Sequence, residues 1–398
     1  MKAVDEGSLG PKVLLNRGAS GKIYDLPKFS VAGVPGPLVF KEFRPSIKRV
    51  ATASLQPIID LRNNLDATTR QELDLRCVWP LAVVEGGDRW AKGLILKKLP
   101  EVCFTTFTWR GRTVSGSSDL QLLMQSQERA RRTGVHFPSA AERRVVLREC
   151  AEFMRLLHCM ESRDGGFSPV DEGSRMGVVY GDLNPRNVHV ALGSAAHADH
   201  PVWWVDCDAV RTSSTAGAQR QGNFMAWFPP REEQGSLTKQ TDRFKFGLLT
   251  QRVLVPGEGV TQRPDIKGIE HEVESAWQGM GLDGQRGRVL LSRSLCPATR
   301  RNERPLFSEW TAFLDGVDYQ GPTVAKAPDP VVTPPSTRKP GWARVDSVST
   351  SPRSPKGEPR ELPVSRPVRW KKRTAAKDPA VSDASDVPRR AAGWKRGT

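Results

Sequence analysis

The chain lacks the signatures by which several protein classes are assigned. Its six cysteines (Cys77, Cys103, Cys150, Cys159, Cys207 and Cys296) include no C-x-x-C pair. That spacing excludes the usual zinc motifs and a disulfide framework, and the six read as reduced, mostly buried thiols. No apolar run approaches bilayer-spanning length, and Met1-Lys2-Ala3-Val4-Asp5-Glu6 has no apolar segment of the secretory kind. A soluble, cytoplasmic protein is the expectation. His197 and His200 lack further ligand types at metal-site spacing. A P-loop is also missing, because Gly21-Lys22 is followed by Ile23 rather than Ser or Thr, and Asn16 stands at the first required glycine.

What is present divides unevenly along the 398 residues, a length that suits one large or two medium domains. Residues 320–398 hold 17 Lys and Arg against 7 Asp and Glu, so +10 of the net +16 belongs to them, together with 13 of the 31 prolines. Such a segment buries too little apolar surface to fold alone, and we expect a disordered basic tail over 319–398. Its three tryptophans, Trp342, Trp370 and Trp394, each sit within two residues of a Lys or Arg. Aromatics interleaved with cations suit a polyanion or an acidic partner.

The first hundred residues carry strand-like apolar runs separated by turn residues. Val13-Leu14-Leu15 and Lys22-Ile23-Tyr24 flank a loop containing Gly18 and Gly21, and Leu38-Val39-Phe40-Lys41 follows Pro35-Gly36-Pro37. A glycine-bearing loop between antiparallel strands would let backbone N–H groups approach a phosphate with no Cβ in the way. Residues 47–76 read as an interrupted helix, broken at Pro57, with Asp66 capping a second segment. The runs 78–84 and 90–96 read as a hairpin that completes a small antiparallel sheet. From residue 119 the spacing becomes helical. Between Ala140 and Met160, Val145, Val146, Cys150, Phe153, Met154 and Leu157 form one apolar stripe, and His158 at its end reads as a packed or capping residue.

The densest cluster of chemistry lies between Val178 and Val210. Asp182 precedes Asn187 by five residues, and the apolar run Val202-Trp203-Trp204-Val205 ends on Asp206-Cys207-Asp208. Acids and an amide delivered by strand ends to one cleft suggest a metal ion beside a base, an arrangement that serves phosphoryl transfer.

The run Asp182-Leu183-Asn184-Pro185-Arg186-Asn187, followed by an apolar strand and Asp206, resembles the catalytic loop and metal-binding acid of the protein-kinase-like superfamily. The resemblance spans about residues 10–318. It implies an α+β, bilobal fold, with a small antiparallel-sheet N-lobe over 10–99 and a mainly helical C-lobe over 100–318. It implies an ATP- and Mg²⁺-dependent phosphotransferase acting on a protein Ser/Thr hydroxyl; a small-molecule kinase and a nucleotide-binding pseudokinase-like switch are the alternatives. By the same resemblance Asp182 is the base, Gly18, Gly21 and Ile23 line the nucleotide site, and Lys41 contacts the phosphates. Asn187 and Asp206 hold magnesium, with Asp208 as an auxiliary ligand. Asp60 or Glu72 pairs with Lys41, and Lys97-Lys98-Leu99-Pro100 occupies the hinge. Asp242 braces the catalytic loop, and Arg304 pairs with Glu232. Two departures stand out: Tyr180-Gly181 replace the family's His-Arg, and Asn184 replaces a lysine.

Overall fold

Alternating apolar side chains on short strands dominate the first part of the chain. The computed structural model describes residues 3–17, 21–44, 50–86, 90–163, 166–174, 177–191, 200–212, 227–233, 237–257 and 265–321. Gly18, His197 and the basic tail from residue 322 onward, with its tryptophans, lie outside the described residues.

Strands β1 (Val4–Asp5), β2 (Val13–Arg17), β3 (Gly21–Asp25) and β4 (Leu38–Phe43) precede two helices, α1 (Thr52–Asn64) and α2 (Ala67–Arg76), and then β5 (Pro80–Glu85) and β6 (Ala91–Lys97). They form one six-stranded sheet in the order β1-β5-β6-β4-β3-β2. The sheet is mixed rather than antiparallel, because β1 runs parallel to β5 while the other pairings are antiparallel. Two-residue β1 precedes the first apolar run and carries no pattern of its own.

Period-two alternation on β4 sends Leu38 and Phe40 to one face, with Leu9, Leu26, Leu81 and Ile95. Val39 goes to the other, with Leu55, Ile59, Val83 and Leu94. Lys41 shares the parity of Val39 and therefore the face that carries α1. Pro57 does not break α1 but lies inside it. The chain breaks at Leu65 instead, and Asp66 caps α2 by accepting from the N–H of Thr69 at 2.9 Å.

The remainder is mainly helical. A hairpin of β7 (Phe104–Trp109) and β8 (Arg112–Ser117) leads to α3 (Leu120–Leu123), α4 (Gln127–Thr133) and the long α5 (Ala140–His158). A Ser139/Glu142 capping box starts α5. Its stripe is buried as its spacing predicts, except Val145, which is exposed. Two ribbons follow, β9 (Met160–Arg163) with β10 (Gly166–Pro169) and β11 (Val188–Val190) with β12 (Val202–Trp204). Helices α6 (Lys239–Leu254), α7 (Glu270–Gly279), α8 (Gly284–Ser294) and α9 (Phe307–Asp315) complete the unit. The Glu172 carboxylate accepts from the N–H groups of Phe307 and Ser308, the otherwise unpaired donors at the start of α9. One apolar core joins α5 to α6–α9 and to the β11–β12 ribbon. Within it Phe153 stacks on Trp204 at 4.8 Å and Tyr180 meets Trp204 edge-on at 5.0 Å. Among the described residues no helix is long and apolar enough to cross a membrane.

Candidate active site

The β11–β12 ribbon brings two loops together. Asn187 ends the turn before β11 and Asp206 lies two residues beyond β12, and the N–H of Val205 donates to the carbonyl of Asn187 at 3.0 Å. The hydroxyl of Tyr180 donates to the carbonyl of Val205 at 2.5 Å. The loop carrying Asp182 is thus tied to the turn carrying Asp206. Asp206 adopts φ 55° and ψ 35°, a left-handed conformation that few non-glycine residues adopt and that aspartate tolerates better than most. Its side chain is 40% exposed, against 6% for Asp208.

Around Asp182, the side-chain amide of Asn187 donates to Oδ2 at 2.8 Å and to the carbonyl at 2.9 Å, and Asn184 donates to the same carbonyl at 3.1 Å. Asn184 also accepts from the N–H of Arg186, so its amide is spent on folding the loop. Burial pushes the Asp182 carboxyl up to about 6; the nearby Lys245 and the bond from Asn187 act against burial, and the charge of Asp206 acts with it.

Lys41 reaches this cluster from the sheet. It is 4% exposed, and its Nζ donates to Asp206 at 2.9 Å and to Asp208 at 2.7 Å. Burial disfavours the ammonium, but the two carboxylates outweigh burial and hold its pKa above the ordinary lysine value. The expected partners do not meet it. Asp60 accepts from Gln56 at 2.8 Å, and Glu72 lies 3.5 Å from Arg76. Asp208, expected as an auxiliary metal ligand, is buried and accepts from Lys41.

Of the expected glycine-loop residues, Ile23 lies directly opposite Lys41 across β3 and β4 and shares its face. Gly21 begins β3, where an added Cβ would fall 2.2 Å from the carbonyl oxygen of Glu42. Its lack of a side chain is therefore demanded by the approach of β4, whatever a ligand requires.

Beneath the loop, Asp242 on α6 accepts from the N–H of Tyr180 at 2.8 Å and from that of Gly181 at 2.9 Å. Gly181 has φ 79°, and an added Cβ would stand 3.1 Å from Leu237, so the turn before Asp182 needs glycine. His158 is fully buried, and its Nε2 lies 3.3 Å from Asp242. Burial lowers its pKa below the ordinary 6.5, against the pull of Asp242. The unfolded chain then binds this proton near pH 6.5 and the native state only below it. Stability is complete above that pH and is lost as pH falls through it. We expect the urea midpoint to drop as pH falls below about 6.5, and His158→Gln, which keeps a donor toward Asp242, to flatten that slope. Equal slopes in both proteins would remove His158 as the cause.

Arg304 pairs with Glu233 rather than with Glu232. The guanidinium meets both Glu233 oxygens at 2.7 and 2.9 Å, whereas Glu232 is exposed. Two contributors were not singled out in the sequence, Lys245 and the hydroxyl of Tyr180. Lys245 lies three residues after Asp242, a spacing that puts both on one helical face. That signal was available. A cavity of about 610 Å³ beside α8 and α9 is lined by none of these site residues, and its Arg293 and Arg286 already engage Glu309 and Asp318.

Among the described residues no three His, Cys, Asp or Glu side chains gather as a metal site. Asp206 and Asn187, expected as magnesium ligands, offer a carboxylate and an amide oxygen on two loops joined by the Val205–Asn187 bond. This suits a hard divalent cation that keeps waters and phosphate oxygens as its other ligands. No protein-family model matches this chain, and no curated protein matches it.

Proposed function

We propose that the chain is an ATP- and Mg²⁺-dependent phosphotransferase with a bilobal protein-kinase-like fold, residues 10–99 forming its N-lobe and 100–318 its C-lobe. The observation that carries this reading is the convergence of Lys41, from β4, on Asp206 and Asp208 beside the Asp182–Asn187 pair. A buried lysine held against two acids is expensive unless the group has work to do. Asp182 takes the proton of the acceptor hydroxyl, which we assign to a protein Ser or Thr. As the new P–O bond forms, the bond to the bridging oxygen breaks and ADP leaves. With a carboxyl pKa of about 6, Asp182 is ionised at neutral pH and still close enough to it to accept a proton. Lys41 exchanges a carboxylate partner for the nucleotide phosphates. Asn187 and Asp206 would hold the magnesium, which supplies charge neutralisation on those phosphates.

A second reading, a nucleotide-dependent switch without transfer, is favoured by one feature. Lys41 is closed onto both acids, and opening that pair on nucleotide binding could itself be the output.

Wild type and Lys41→Met, incubated with γ-labelled ATP, Mg²⁺ and a generic Ser/Thr protein acceptor, separate these readings. We expect label in protein, with Lys41→Met weakening nucleotide binding and lowering turnover by about 10–100-fold. Nucleotide binding without transfer would support the switch, and unchanged affinity and turnover in Lys41→Met would remove the lysine from the site.

A further inference from the structure

Lys245 has no part in the reading given so far, yet it lies under the base. Its side chain is 0% exposed, on the inner face of α6. A buried ammonium persists only where opposite charge and acceptors compensate for lost water. Its Nζ donates to the carbonyl of Gly181 at 2.6 Å; burial lowers its pKa below the ordinary lysine value, and the charges of Asp182 and Asp242 oppose that fall.

The Gly181 carbonyl belongs to the peptide unit that carries the N–H of Asp182. Asp242 already takes the N–H groups of Tyr180 and Gly181, so two side chains one turn apart on α6 hold both ends of residue 181. A planar peptide whose carbonyl is fixed presents the next Cα in one direction. Because both clamps stand on a helix rather than a loop, that direction is held rigidly. The carbonyl could have been satisfied by a neutral donor. A lysine adds a positive charge beside the carboxylate that must be ionised to act.

We propose that Lys245 is the positioning residue of Asp182: its ammonium fixes the peptide that carries the base and provides the countercharge beside it. This rests on the phosphotransferase reading for its kinetic part only. The geometric part stands without any activity.

The test uses the full chain with Lys245→Met, which keeps the stem but neither donor nor charge, and Lys245→Gln, which keeps a donor alone. In an active wild type, Lys245→Met is expected to lower kcat by about 10–100-fold, as removal of a supporting residue commonly does, with nucleotide KM within about twofold. Added to Asp182→Asn it should cost nothing more, since it acts through that carboxylate. Amide exchange at Gly181, whose N–H ends on Asp242 at the other end of the clamped residue, should accelerate in Lys245→Met and stay slow in Lys245→Gln. Wild-type kcat in Lys245→Met, or a full additional loss in the Asp182→Asn background, would overturn the kinetic role. Unchanged exchange would overturn the positioning role, even if wild type transfers nothing and the phosphotransferase reading has failed. Should Lys245→Met not fold, Lys245→Gln decides: retained protection with lowered kcat supports the charge, and wild-type kcat rejects it.

Discussion

Asp182→Asn is expected to slow phosphoryl transfer by about 10²–10⁴-fold, the usual contribution of a positioned general base, while nucleotide affinity stays near that of the wild type. The substitution is close to isosteric, and an asparagine oxygen can still accept the 2.8 Å bond from Asn187. Loop geometry should survive, and what disappears is the ability to take the acceptor's proton. The environment sharpens the expectation. Burial alone would leave this carboxyl neutral too often, and it is held at about 6 because Lys245 and Asn187 work against burial. The neutral amide also removes a negative charge near Asp206, so any change in affinity for the anionic nucleotide should be toward tighter binding and any change for magnesium toward weaker. Single-turnover transfer from γ-labelled ATP, with nucleotide affinity measured separately, reads both quantities. A variant that transfers at the wild-type rate would place the base elsewhere. One that loses affinity and rate together would mean that Asp182 chiefly maintains the loop.

The parts of this site legible in sequence are those fixed by short-range pattern. Period two on Leu38-Val39-Phe40-Lys41 sets the face of Lys41. The spacing of Asp182 and Asn187 survives as a direct hydrogen bond. The stripe on α5 reads correctly because one face meets a core and the other water. Long-range partner choice was not legible. Lys41 finds its countercharge far along the chain at Asp206 and Asp208, and nothing local distinguishes those acids from Asp60 or Glu72. The choice between Glu232 and Glu233 is lost for another reason. Both lie on the 3-10 turn Arg231–Glu233, where adjacent side chains point about 120° apart, so one faces the core and its neighbour water.

Other misses have equally specific causes. The hairpin of β7 and β8 has Thr, Ser and Arg on largely exposed strands, and without a buried face there is no alternation to find. Helix α6 is buried nearly all round, so only the three-residue spacing from Asp242 marks Lys245 out. Pro57 lies well past the first turn of α1, where its ring forfeits a backbone bond. The helix continues because Leu55, Ile58, Ile59 and Leu61 are buried on its inner side, and tertiary packing outweighs one lost hydrogen bond.

Arg304→Met is expected to destabilise the fold by roughly 3–5 kcal/mol, the cost of breaking a buried ion pair from one side. Arg304 is 0% exposed and holds both oxygens of Glu233, itself 2% exposed. It also donates to the carbonyls of Gln240 at 2.8 Å and Cys296 at 2.9 Å, and its guanidinium lies 5.0 Å from the ring centre of Phe244. Methionine can fill much of the space but leaves the buried Glu233 carboxylate without its countercharge and takes one donor from each of the two carbonyls. Three comparisons isolate that cause. Glu232→Gln should move stability by less than about 0.5 kcal/mol, as surface changes usually do. The pair Arg304→Met with Glu233→Leu should recover part of the loss, because an apolar pair leaves no stranded charge. Urea midpoints should shift with little change in slope if only the native state is weakened. A loss shared equally by Glu232→Gln would return the pairing to Glu232. The position of Gln240 gives the effect a functional side: it lies two residues before Asp242 on α6, so Arg304 anchors the turn that holds the base loop. Below the unfolding transition, Arg304→Met should therefore accelerate amide exchange at Tyr180 and Gly181, whose N–H groups end on Asp242. Exchange there that matches the wild type would confine the role of Arg304 to stability.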